Sequence, residues 1–279
     1  MNNKTKYSLA ILMALSIVTG CSSKGEVAPS VSPTATPTSS VSAVSPAASA
    51  SPPPSSTITQ QPSPVPTASP AVSAVPPKNG AIQVIAKPES VTALVNKQYS
   101  LPASYEPTDL VYPEIAFVFA EKIEKRKMRS IAASAIEKLF AGAEKDGIHL
   151  AGVSAYRSYA TQKSIFQRYV LKDGEEKAKM YSAVPGTSEH ETGLAIDVTS
   201  SDGKCAAEDC FGGTKEANWL DKHAAEYGFI IRYPKGKSAI TGYQYEPWHI
   251  RYVGVDVSKD LETKKLTMEE YYNAVPVTK

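Results

Sequence analysis

Two short segments concentrate the residue types that hydrolytic metal sites use. The first, SEHETGLAID, carries His190 and Asp197 on either side of Gly193, and the second, EPWH, runs from Glu246 to His249. A catalytic zinc site takes three protein ligands, usually from histidine and carboxylate, and leaves one position open. His190, Asp197 and His249 form such a set. Glu246 is then a candidate general base beside it.

The fold must bring these residues together, because no second histidine stands four residues after His190 to complete the helical motif H-E-x-x-H. Strand alternation turns Asp197 away from the apolar face formed by Leu194, Ile196 and Val198. Gly193 lets the chain turn so that His190 and Asp197 converge on one ion. The last apolar segment also alternates, with His249 and Arg251 on one side. We therefore expect a loop and two strands to carry the ligands.

The remaining periodicity indicates helices followed by strands. Apolar residues recur at helical spacing from Met128 to Phe140, and Asp146-Gly147 offers a stop. Further helices are expected at about 161–170 and 217–227, and strands at 148–154, 193–198, 229–233 and 249–253. The first of these strands delivers Arg157 at its end. This order favours an α+β fold with helices packed on a mostly antiparallel sheet.

The N-terminus has the pattern of an export signal. Two lysines precede an apolar run that is too short to span a bilayer, and small residues follow it up to Cys21. Val-Thr-Gly-Cys at 18–21 resembles the lipobox of bacterial lipoproteins. We therefore expect a signal peptide at 1–20 and lipidation of Cys21, which would anchor the protein outside the cytoplasm. The alternative is an unlipidated secreted protein that is cut nearby.

Composition divides the rest of the chain into a tether and a domain. Residues 21–80 are dominated by Ser, Pro, Ala, Thr and Val, which predicts a disordered linker that could reach into a cell wall. Residues 81–279 have a globular composition and the size of one domain. Removal of the signal reduces the formal charge from +2 to about zero. The charge therefore favours neither nucleic acid nor an anionic surface as a partner.

Two cysteines remain once Cys21 is assigned to lipid. Cys205 and Cys210 stand close together in KCAAEDCF. Outside the cytoplasm such a pair is most simply a local disulfide. A metal site would need more partners than this segment offers.

The two motifs resemble those of a known family. SEHETGLAID matches S-x-H-x-x-G-x-A-x-D and EPWH matches E-x-W-H, both found in zinc-dependent D-alanyl-D-alanine carboxypeptidases similar to VanY, in peptidase family M15. The resemblance extends to LVNKQYSLPASYEPTDLV, SAYRSYATQ, GFIIRYP and ITGYQYEPWHIRYVG, and so to nearly all of residues 88–256. It implies a hedgehog/D,D-peptidase-like fold and hydrolysis of the terminal D-Ala-D-Ala bond of peptidoglycan stem pentapeptides by a monomer.

The resemblance also implies roles for single residues. One Zn²⁺ would be held by His190, Asp197 and His249, with Glu246 as the catalytic acid/base. Arg157 would grip the substrate through its terminal carboxylate or its developing oxyanion. Two further residues, Gln162 and Ser188, would line the same pocket.

Three other functions remain to be weighed. Close relatives with the same motifs act as L,D-carboxypeptidases on tetrapeptide stems. A serine acyl-enzyme could use the S-x-x-K at Ser201–Lys204, but S-x-N and K-T-G elements are missing. A non-catalytic wall-binding lipoprotein could keep zinc as a structural ion, with His149 or His223 as a fourth ligand. That reading leaves Glu246 without a role.

Overall fold

The structure is a computed structural model, and it describes residues 81–274. The expected signal peptide, Cys21 and the linker at 21–80 lie outside the described residues and stay predictions. None of the helices between residues 81 and 274 combines the length and the apolar character that crossing a membrane requires.

The first part of the domain is built from short strand pairs. Strand β1 (Gln83–Val84) pairs in parallel with β2 (Tyr99–Ser100), and β3 (Leu110–Val111) pairs antiparallel with β4 (Met128–Arg129). These pairs lead into helix α1, which spans Ser130–Lys145.

Helix α1 covers the core with one apolar face. Its buried residues recur at helical spacing and are Ala132, Ala133, Ile136, Leu139 and Ala143. The expectation that Ile131 shares this face is wrong, because its side chain is 46% exposed. In a helix of 3.6 residues per turn, Ile131 is rotated by about 100° around the axis from its buried neighbour Ala132. Met128 is buried as expected, although it belongs to β4 and not to the helix.

A four-stranded sheet forms the centre of the domain. Its strands are β5 (Leu150–Ser154), β6 (Ala195–Ser200), β7 (Phe229–Ile231) and β8 (His249–Tyr252). They are hydrogen-bonded in the order β5–β6–β8–β7, and every neighbouring pair is antiparallel. The α+β class with an antiparallel sheet is thereby confirmed.

The sheet and α1 enclose the main apolar core. Leu194, Ile196 and Val198 are all fully buried there, as their alternation predicts. Burial of an aliphatic side chain of this size contributes roughly 1.5–3 kcal/mol. This apolar face holds β6 in register, so its other face can carry polar side chains.

The remaining helices surround the sheet. They are α2 (Tyr159–Asp173), α3 (Glu175–Tyr181), α4 (Lys215–His223), α5 (Ser238–Thr241), α6 (Val255–Lys264) and α7 (Met268–Tyr271). The helix expected at 217–227 is α4 followed by a 3₁₀ turn, and Gly228 ends it in the left-handed conformation at φ 86°. Residues of α6 and α7 form a second apolar cluster with β2.

The cysteine pair is joined as expected. Cys205 and Cys210 form a disulfide that closes a loop after β6. Ala207 within this loop lines the cavity that contains His190 and His249. The disulfide therefore constrains one part of the cavity wall.

Candidate metal centre

Backbone geometry brings the motif residues together. Asp197 of β6 stands directly opposite His249 of β8 in the antiparallel register. His190 lies on the 3₁₀ turn Glu189–Thr192, which Gly193 ends in the left-handed conformation at φ 68°. A Cβ at Gly193 would lie 2.9 Å from Arg129 Cγ, so both the conformation and the space favour glycine there.

The three side chains form a compact, buried cluster. Asp197 lies between the histidines, with Oδ2 3.3 Å from His190 Nε2 and Oδ1 2.9 Å from His249 Nδ1. One ligand atom from each residue lies within 4.8 Å of the others, and all three residues are buried. Within the part of the chain that the structure describes, no other group of His, Cys, Asp and Glu is arranged in this way.

The second nitrogen of each histidine is already engaged. His190 Nδ1 lies 2.7 Å from the carbonyl oxygen of Ala155, and His249 Nε2 lies 3.4 Å from Glu189 Oε2. A ligating histidine commonly donates its other N–H to a carbonyl or carboxylate, which selects the tautomer. The hydrogen bonds therefore leave His190 Nε2 and His249 Nδ1 facing Asp197. This two-nitrogen, one-carboxylate set fits a zinc ion.

Burial and mutual charge set the protonation of the cluster. Burial lowers the pKa of His190. Burial would also lower the pKa of His249, but its hydrogen bonds to Asp197 and Glu189 outweigh this and raise the pKa to about 10. Burial opposes ionisation of Asp197, yet the two histidines hold its pKa well below its usual range. Metal binding through His249 Nδ1 requires that this nitrogen carries no proton.

Glu246 lies beside the cluster in the same cavity. Its backbone N–H donates to the carbonyl oxygen of Tyr233, and its own carbonyl accepts from His249 N–H. Burial raises the pKa of the Glu246 carboxyl to about 7, and the Asp197 and Glu189 carboxylates add to this. A carboxyl with a pKa near neutrality can both accept and return a proton.

The same cavity also carries a basic group, Arg157. Arg157 Nη1 donates to Gln162 Oε1 at 2.9 Å, and Gln162 Nε2 donates to the carbonyl oxygen of Ala183 at 2.7 Å. Arg157 has no carboxylate within salt-bridge distance among residues 81–274, so its charge is available to an anionic ligand. Ser188 also lines the cavity, as expected.

The other histidines are remote from this chemistry. His149 was expected in an apolar strand, but it precedes β5, is 52% exposed at its side chain and pairs with Glu144. His223 pairs with Glu226 and stacks on Trp219. Neither belongs to the cluster, so neither is a fourth ligand. Asp202 and Lys204 of the S-x-x-K segment pair with each other in an exposed turn.

The chain is similar to known proteins. A family model described as VanY, D-alanyl-D-alanine carboxypeptidase, matches residues 125–255. YodJ of Bacillus subtilis (strain 168), provisionally described as a carboxypeptidase, is 50% identical over 194 residues, which are 70% of this chain and 71% of YodJ. The chain belongs to the VanY family. This confirms the family assignment made from the motifs.

Two solved structures extend the comparison. The LdcB LD-carboxypeptidase is 50% identical, has a TM-score of 0.68, and the match covers 70% of this chain and 91% of that chain. A variant of the vancomycin resistance D,D-pentapeptidase VanY in complex with Zn(II) is 31% identical with a TM-score of 0.53, over 66% of this chain and 99% of that one. The likeness therefore covers the fold, and the range 125–255 matched by the family model includes both motifs.

This VanY-family chain also contains a buried ionic network behind the metal cluster. Glu189 Oε1 accepts hydrogen bonds from Arg232 Nε and Arg251 Nη1, both at 2.8 Å. Glu269 of α7 binds Arg232 through both of its oxygens, at 2.6 and 3.0 Å. All four side chains are fully buried. Burial opposes ionisation of Glu189, but the two guanidinium groups hold its pKa well below its usual range.

The two motifs do not predict this network. One signal was available, because Arg251 falls on the same side of its predicted strand as the ligand His249. An arginine on that side must be paired when it is buried. The identity of its partner could not be read, because Glu189 lies 62 residues away in the chain.

Proposed function

We propose that this protein is a zinc carboxypeptidase that removes the terminal D-alanine from peptidoglycan stem pentapeptides. The observation that carries the proposal is a buried His-Asp-His cluster that opens into a cavity containing both Glu246 and Arg157. The relation to VanY, whose solved structure holds Zn(II), supports zinc as the metal. When bound, Zn²⁺ polarises a carbonyl and lowers the pKa of water, which are the two requirements of peptide hydrolysis.

The protein's own groups account for proton transfer. Glu246 accepts a proton from the attacking water at its carboxylate and returns it to the amine of the departing alanine. Its pKa of about 7 suits both steps at neutral pH.

Arg157 orients the substrate. Its guanidinium can bind a carboxylate oxygen in a charge-assisted hydrogen bond, and its hydrogen bond to Gln162 Oε1 restricts its position. It acts on the terminal carboxylate or on the developing oxyanion. A substrate that ends in a carboxamide separates the two roles, because only a carboxylate-binding Arg157 would discriminate strongly against it.

A second candidate activity is L,D-carboxypeptidase cleavage of tetrapeptide stems. The similarity to LdcB, with 50% identity and a TM-score of 0.68 against 0.53 for VanY, favours it. Both activities use the same metal and acid/base groups. They differ in the configuration of the residue before the scissile bond.

Product analysis decides between them. Zinc-loaded residues 81–279 are incubated with an equal mixture of pentapeptide and tetrapeptide precursors, with a chelator-treated sample as control, and products are identified by mass spectrometry. Loss of alanine from the pentapeptide alone supports the D,D activity. Loss from the tetrapeptide supports the L,D activity, and an unchanged mixture with zinc still bound would refute a catalytic function.

We further propose that the protein is exported and lipid-anchored. The lipobox at 18–21 and the Pro-rich segment 21–80 support a domain that is held at the membrane and acts in the cell wall. A fatty-acid probe should label the full chain and should not label Cys21→Ala. Equal labelling of both proteins would refute the anchor.

A further inference from the structure

Glu189 differs from the other buried carboxylates of the domain because it contacts both an ionic network and a metal ligand. Its Oε1 accepts from Arg232 and Arg251, while its Oε2 lies 3.4 Å from His249 Nε2. The Glu189 side chain has no exposed surface. No water can therefore replace either set of contacts without rearrangement of the core.

The arginines fix the direction in which Glu189 points. Arg251 Nη2 donates to the carbonyl oxygens of Val91 and Ala93, at 3.1 and 2.9 Å, and its Nε donates to that of Tyr252. Arg232 is held from its other side by Glu269. Both guanidinium groups are thus anchored independently of Glu189. They bind Oε1 and leave Oε2 facing the imidazole.

The imidazole ring of His249 is also restricted. It stacks on Tyr233, with ring centroids 5.0 Å apart and planes 24° from parallel. The ring therefore places one nitrogen toward Asp197 and the other toward Glu189.

We propose that Glu189 is a positioning residue that holds the proton of His249 on Nε2 and thereby presents the lone pair of Nδ1 to the metal. Carboxylate partners of ligating histidines orient the ring and increase its basicity as a ligand. Arg232 and Arg251 keep Glu189 in place for this purpose through their hydrogen bonds to Oε1. The proposal concerns metal affinity, so its failure would leave the choice between pentapeptide and tetrapeptide substrates untouched.

Glu189→Gln tests the role with little change in shape. The arginines are donors only, so they attract the amide oxygen and turn the amide NH₂ toward His249 Nε2. That arrangement favours a proton on Nδ1, which is the wrong tautomer for binding metal through this atom. We expect the dissociation constant for zinc, measured by competition with a chelating dye, to rise roughly 10- to 100-fold.

Glu269→Gln is the matched control. It removes a buried carboxylate from the same network and from the same arginine, but Glu269 does not contact His249. Arg251 still binds Glu189 Oε1 in this variant, so its zinc affinity should fall far less than that of Glu189→Gln. An unchanged affinity in Glu189→Gln, or an equal loss in both variants, would overturn the proposal.

A measurement on the unmodified protein decides the matter if Glu189→Gln does not fold. The chain has four histidines, so selective ¹⁵N-histidine labelling gives a simple spectrum. With zinc bound, two imidazole N–H protons should exchange slowly, that of His190 Nδ1 against Ala155 and that of His249 Nε2 against Glu189. A single slowly exchanging imidazole proton, assigned to His190, would refute the role of Glu189.

Discussion

Replacement of Glu246 by glutamine separates catalysis from metal binding. The three ligand atoms come from other residues, so zinc content should be unchanged. Loss of a general acid/base lowers the rate by about 10²- to 10⁴-fold, which corresponds to about 3–5 kcal/mol in the activation barrier. The assay is kcat/KM on the preferred stem peptide, together with metal analysis of the same sample. Near-normal turnover with zinc bound would refute the assignment of Glu246.

The same variant should alter stability in a pH-dependent way when zinc is removed. Burial raises the pKa of Glu246 from 4.5 to about 7. Below pH 4.5 the carboxyl is protonated in both the folded and the unfolded chain, so its ionisation does not change the free energy of unfolding. Between pH 4.5 and 7 it ionises first in the unfolded chain, so the folded state loses stability, and this loss persists above pH 7.

The size of this effect follows from the two pKa values. Their difference corresponds to at most about 3 kcal/mol, and partial exposure of Glu246 to solvent reduces it. Relative to the unmodified protein, Glu246→Gln should therefore be more stable at pH 8 than at pH 4.5. Urea denaturation in the presence of a chelator measures the free energy of unfolding at both pH values. Glu106→Gln, at an exposed position, is the control. A stability difference that does not change with pH would contradict the reasoning.

Three further perturbations test other parts of the structure. His190→Ala should lose zinc on gel filtration, whereas His223→Ala, on the surface, should keep it; metal retained by both would exclude His190 as a ligand. Burial raises the pKa of Tyr156 from 10.0 to about 12, so its contribution to stability is complete below pH 10 and is lost as pH rises toward 12, by up to about 3 kcal/mol. In Tyr156→Phe the free energy of unfolding, measured by urea denaturation, should fall less between pH 9 and 11.5 than in the unmodified protein. An equally large fall in both proteins would contradict the role of Tyr156. Replacement of both Cys205 and Cys210 by serine should lower the free energy of unfolding by about 2 kcal/mol, because the closed loop is short, and an unchanged free energy would show that the disulfide does not stabilise the domain.

Local patterns predicted the residues of the His-Asp-His cluster because each obeys a short-range rule. Asp197 faces away from Leu194 and Ile196 because side chains alternate along a strand. Gly193 adopts the left-handed conformation that its place between His190 and Asp197 requires. Cys205 and Cys210 are the two cysteines that remain once Cys21 is assigned to lipid, and they are close enough in the chain to form a local disulfide.

The register of the strands and the burial of individual side chains were decided only by the tertiary structure. The alternation of β6 and β8 shows which face each residue occupies. The pairing of Asp197 with His249 depends on how two strands align whose paired residues are 52 positions apart in the chain. Burial also depends on the whole fold, because Ile131 fits the helical spacing of apolar residues and is nevertheless exposed to solvent.

The buried network shows the physical reason most clearly. Glu189, Arg232 and Arg251 are ordinary charged residues in the sequence, and their charges become costly only when the fold removes water from all of them together. Each must then pair with another, and the distances between them along the chain hide that requirement. The sequence alone thus determined which residues form the candidate metal cluster and the kind of fold that carries them. The tertiary structure decided what holds those residues in place, because desolvation and strand register are properties of the whole domain.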